Sequence, residues 1–107
     1  MIFNYNSIKK KDLGGGVSRK ILAHSENLMA VEVEFEKGAV GALHKHEHEQ
    51  ISYVLKGSFK VTINGEESIL NVGDTYYTAP NEEHGVIALE DGVLLDIFTP
   101  ERKDFLK

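Results

Sequence analysis

The chain has 107 residues, which suits one domain and leaves little room for a second. Its 41% hydrophobic and 27% charged residues are the mix of a folded globular protein, not of a disordered one. A net charge of −5 without any basic block argues against nucleic acid as a partner, and the lack of cysteine excludes disulfides and thiolate metal sites.

Met1 to Lys11 is mixed and polar, so no secretory signal is expected there, and no apolar run approaches the length of a membrane span. A cytoplasmic protein with no membrane partner is the expectation. Gly14 to Gly16 lacks the G-K-[ST] ending of a phosphate-cradling loop and reads as a turn before the first strand. His24, near the end of that strand, reads as a solvent-facing polar residue. From Asn27 to Glu36 the chain alternates, with Met29, Val31, Val33 and Phe35 on one face and Glu32, Glu34 and Glu36 on the other. That is the pattern of a half-buried strand.

Gln50 to Leu55 and Ser58 to Ile63 read as two further strands joined at Lys56-Gly57, and Asn64-Gly65 is a tight-hairpin signal. Glu67 to Leu70, Thr75 to Ala79, His84 to Leu89 and Val93 to Thr99 complete the set, and Glu101 to Leu106 forms at most a short terminal turn. Short strands at regular spacing, with no sustained helical period, predict an all-β sandwich or closed barrel. The open edges of such a barrel favour a homodimer.

Five histidines occur, at positions 24, 44, 46, 48 and 84, and those beyond His24 are the candidates for chemistry. His44 and His46 lie two apart on a segment read as extended, so both rings project to one side and can converge on one ion. Gln50 offers an amide oxygen in the next strand, and His84, opening a later strand, is the candidate for the remaining ligand. His48 shares the parity of His44 and His46 and reads either as a substitute ligand or as an outer supporting group. Glu47 and Glu49 read as a solvated loop, or as the source of a carboxylate ligand if the register slips. A neutral glutamine leaves a divalent ion its full charge, which favours an anionic ligand and Lewis-acid chemistry over oxygen activation. Imidazole-rich ligation accepts Ni, Zn, Fe, Mn or Cu.

The spacing Gly38-x5-His44-x-His46-x3-Gln50-x6-Gly57 resembles the first cupin motif, with Gln in the place of Glu. Gly73 to His84 resembles the second, although Pro80 sits one place late and the inner Gly and final Asn are missing. The two motifs cover residues 38–89 of what is read as a single cupin domain, 1–107, with the double-stranded β-helix or jelly-roll fold that this resemblance implies. The resemblance extends further, through Leu13-Gly-Gly-Gly-Val-Ser-Arg-Lys20, the HKHEHEQISYVLKGSF segment and the tail from Asp96 to Leu106, to the pectin-degradation (KdgF-type) cupins. In those cupins Gln is the expected fourth ligand. The resemblance implies a metal-dependent isomerase that opens 4,5-unsaturated monouronates from pectin or alginate lysis to the linear 5-keto form, with a small sugar acid as partner. It implies Asp96 as proton carrier, Arg102 as carboxylate-orienting group and Phe98 as the wall against the sugar. Read without it, Asp96 and Arg102 equally fit a structural ion pair that pins the tail. A metal-dependent dioxygenase and a non-catalytic sugar-binding protein are the competing readings.

Overall fold

The computed structural model describes residues 1–107, folded as two facing antiparallel sheets. The strands are β1 (Lys11–Gly14), β2 (Val17–His24), β3 (Met29–Phe35), β4 (Val40–His44), β5 (Glu49–Lys56), β6 (Phe59–Ile63), β7 (Glu66–Leu70), β8 (Thr75–Thr78), β9 (His84–Ala88) and β10 (Gly92–Thr99). One sheet runs β1-β2-β3-β10-β5-β8 and the other β4-β9-β6-β7. This is the expected jelly roll. The strand bounds read from the alternation shift by one or two residues at most, and β3 starts at Met29 because Ser25 to Leu28 closes a turn through Ser25 N–H to Leu28 C=O at 2.7 Å.

Local chemistry explains the turns. Asn64 and Gly65 both have positive φ, at 49° and 81°, which is what a two-residue hairpin loop between β6 and β7 requires. Gly57 has φ 76°, and a Cβ there would stand 2.5 Å from the Asp91 carbonyl oxygen, so the step from β5 to β6 admits only glycine.

The core divides in two. Phe35, Val54, Phe59, Val61, Val86 and Leu94 fill one end of the sandwich, with Phe35 and Phe59 edge to face at 5.2 Å. Met29, Val31 and Phe98 form a smaller cluster at the other end, beside the histidines. Antiparallel register lays inward residues in rows across the large sheet: Met29, Phe98, Gln50 and Thr78 in one, Val31, Asp96, Ser52 and Tyr76 in the next. The outward residues of β5 are Ile51, Tyr53 and Leu55, all exposed.

Candidate active site and metal centre

Three elements bring the histidines together. His44 ends β4 and pairs with His84, the first residue of β9, so the small sheet places two rings side by side with centroids 4.4 Å apart. His46 lies beyond β4 in the connection to β5, so strand alternation is not what aims it. Its Nδ1 is held by the His48 carbonyl at 3.0 Å instead. One nitrogen each from His44, His46 and His84 lies within 4.8 Å of the others, a set that could hold a metal ion.

Protonation follows from hydrogen bonding. Nδ1 of His44 donates to Ala42 C=O at 2.8 Å, and Nδ1 of His84 to Glu82 C=O at 2.9 Å, as Nδ1 of His46 does to His48. Burial pushes the imidazoles of His46 and His84 below the usual histidine range, which keeps both rings neutral. A neutral ring that donates from Nδ1 carries a lone pair on Nε2. Nε2 of His84 is buried without any hydrogen-bond partner. Nε2 of His46 faces Gln50 Oε1 at 3.0 Å, which sets one acceptor against another. A cation between them satisfies both, so the donor set fits a divalent metal.

Gln50 is oriented from behind. Its Nε2 donates to Ser52 Oγ at 2.8 Å, and Ser52 Oγ donates to Asp96 Oδ1 at 2.6 Å, which turns the amide oxygen toward the histidines. Asp96 lies deep in the barrel, and burial raises its carboxyl to about 6 against the opposing hydrogen bond from Ser52 and the positive charge of Arg102. Tyr76 stands across β5 from Asp96, and burial together with that carboxylate holds its hydroxyl well up in the protonated form. Gln50, Asp96 and Tyr76 line a cavity of about 160 Å³ together with His44 and His84.

The tail closes one side of the cavity. Arg102 sits over Phe98 at 5.2 Å and Phe105 at 4.3 Å, while its Nε and Nη2 donate to Asp104 at 3.1 and 2.9 Å. The structural pair of the tail is therefore Arg102 with Asp104, not with Asp96. His48 lies outside the cluster: its Nε2 meets the Glu101 carbonyl at 3.1 Å, so it supports the tail. His24 corrects the sequence expectation. It is half-buried, with Nδ1 3.1 Å from the Glu101 carboxylate, because the tail folds back across the end of β2. Glu47 and Glu49 are exposed, as expected.

Ser52, Tyr76 and Arg19 line or support this cavity and were not singled out by sequence reasoning. A usable signal existed for two of them. Ser52 is polar at an inward position of β5, and Arg19 is charged at an inward position between Val17 and Ile21.

Residues 31–98 match the family model described as a cupin domain. The pectin degradation protein KdgF of Dickeya dadantii (strain 3937) is 54% identical over 98 residues, covering 90% of this chain and 89% of that protein. A solved structure of KdgF from a Halomonas species has a TM-score of 0.93 at 42% identity, covering 98% of this chain and 97% of that one. Oxalate decarboxylase OxdC of Bacillus subtilis (strain 168) is 33% identical over 101 residues, covering 86% of this chain but only 26% of that longer protein. Fold and site define a small β-barrel with a histidine cluster that could hold a metal ion. The chain belongs to the cupin family and, within it, to the pectin-degradation KdgF cupins.

Proposed function

We propose that the protein is an isomerase that opens 4,5-unsaturated monouronates to the linear 5-keto-4-deoxyuronate. The observation that carries the reading is the joining of a neutral nitrogen and oxygen donor set to a buried carboxylate, His46 to Gln50 to Ser52 to Asp96, with Gln50 and Asp96 both lining one cavity. His44, His46, His84 and Gln50 are the residues assigned to one divalent transition metal. When bound there, the ion supplies Lewis acidity to the oxygen on which negative charge develops.

The reaction needs no oxidant or reductant. The anomeric hydroxyl loses its proton, C1 becomes a carbonyl as the bond from C1 to the ring oxygen breaks, and the electron pair passes to that oxygen as an enolate. A proton added at C4 then leaves the ketone at C5. Asp96 is the proton carrier, since a carboxyl raised to about 6 is ionised at neutral pH yet basic enough to accept. Ser52 holds it in place. Arg102 orients the substrate carboxylate, and Phe98, buried beside His46, forms the wall under the sugar ring.

In this reading the protein works in the cytoplasm as a homodimer. The outward face of β5 and β8 supports the second copy, because Ile51, Tyr53, Leu55 and Tyr77 present a contiguous apolar surface. The test is loss of the ultraviolet absorbance of an unsaturated monouronate with metal-loaded protein, measured against the spontaneous rate. Acceleration that a chelator abolishes supports the isomerase. Binding without acceleration gives the site to a sugar-binding protein, and oxygen uptake gives it to a dioxygenase.

A further inference from the structure

The inward face of β2 is apolar on either side of one charge. Val17 and Ile21 pack against the core clusters, and Arg19 stands between them, opposite Val33 in the row that continues to Leu94 and Val54. An arginine in such a row is costly unless an anion meets it. None of the four salt bridges of the chain includes Arg19. Its Nε is buried without a hydrogen-bond partner, and its guanidinium carbon lies 3.8 Å over the Phe105 ring, at the wall of the cavity that holds Asp96 and Arg102.

The two arginines differ in what they still offer. Arg102 has Nε and Nη2 committed to Asp104, and that carboxylate is mostly exposed. Arg19 keeps its whole planar fork of donors, fixed in orientation by the aromatic ring beneath it. Both cations line one small cavity with Asp96 as the carboxylate of its lining, while Asp104, which is paired to Arg102, also attracts Arg19 without entering a salt bridge with it.

We infer that Arg19 is a second carboxylate-binding residue of this cavity, meeting the acid group of a sugar acid beside Arg102 through its unpartnered guanidinium edge. The inference rests on the sugar-acid reading of the site and adds to it a binding residue from β2, in the other sheet from the β4 and β9 strands that carry His44 and His84. It also gives the cavity its preference for an acid over the corresponding neutral sugar. Arg19 acts in binding and not in proton transfer, so its loss appears in affinity and leaves the chemical step.

The experiment uses the metal-loaded protein, with Arg19→Gln and Arg19→Lys beside wild type. Calorimetry with galacturonate reads binding, and the unsaturated monouronate reads turnover. The expected result for Arg19→Gln is a Kd and a KM raised about 10-fold to 100-fold, with kcat within about threefold and metal content unchanged. Arg19→Lys, which keeps the charge and the aliphatic stem, recovers part of the affinity. A Kd and KM within twofold of wild type in a folded Arg19→Gln overturn the inference, as does a fall in kcat at constant KM. If Arg19→Gln does not fold, Arg19→Lys with wild-type affinity for both ligands overturns it, because a lone ammonium cannot replace the fork. Wild type that binds galacturonate in an Arg19-dependent way without turnover removes the isomerase and keeps the binding role of Arg19. Wild type that binds neither ligand removes both.

Discussion

Asp96 is the residue whose environment has the clearest cost. Its carboxyl titrates at about 6 in the folded protein against an ordinary value of 3.8, so the folded state holds an extra proton between those values. Stability therefore falls as pH rises through that window, the reverse of a salt-bridged carboxylate. Asp96→Asn removes the penalty. In metal-free protein it is expected to raise stability by roughly 1–3 kcal/mol at pH 7, discounted for the partial exposure of Asp96 to the cavity, with no gain below pH 4. Urea melts at the two pH values check this. The same variant retains metal but loses turnover by about 10²–10⁴-fold, a stability gained at the expense of activity. Ser52→Ala frees the Gln50 amide to rotate, and metal affinity is expected to fall about 10-fold to 100-fold in a competition titration with a chelating dye. The histidines and Gln50 were legible in the sequence because their spacing is itself a motif. Ser52 was not, since its role depends on facing Asp96 from 44 residues away, a neighbour that only register creates.

At the scale of elements, the contact between β4 and β9 sets the geometry of the centre. Gly85 follows His84, and a Cβ there would lie 2.8 Å from the Gly41 carbonyl and 3.0 Å from the Leu43 amide nitrogen. Both are backbone atoms, so Gly85→Ala must push β4 away from β9, and His44 away from His84 with it. The expected outcome is weakened metal binding together with a lowered thermal midpoint. Gly65→Ala serves as a control: its Cβ meets open space, so only the positive φ of 81° is penalised, at about 1 kcal/mol. Metal affinity should stay at the wild-type value in that variant. The strands themselves were legible from alternation and turn residues. That His46 stands outside β4 was not, because the hydrogen bond that aims it is made to a carbonyl in the loop that follows.

The whole molecule folds with two cores of unequal size, and the smaller one borders the histidine cluster. Phe59, fully buried at the larger end, is expected to cost about 3–5 kcal/mol on replacement by alanine, with little change in the site beyond lost population. Metal acts on the other end. A ligand present at a thousandfold excess over its Kd stabilises the folded state by about 4 kcal/mol, so chelation should lower the thermal midpoint by roughly 15–20 °C. Assembly is tested by replacing Ile51 and Leu55 with lysine, which should yield a monomer in sedimentation velocity if the outward face of β5 meets a second copy. Composition and pattern made the all-β sandwich legible. The closing of the cavity by the tail was not, since it depends on Glu101 meeting both His24 and His48 across long stretches of chain.

β5 has one further consequence. Gln50, Ser52 and Val54 point into the sandwich, and Ile51, Tyr53 and Leu55 point out, so two vocabularies are interleaved in a single stretch of eight residues. A period of two has no tolerance for phase. Deleting one residue at the start of this strand would send the apolar letters into the pocket and the polar ones to the surface. Chemistry and outer surface would then be lost in one event. In a library of variants, this stretch should accept many substitutions at its outward positions and almost no insertions or deletions.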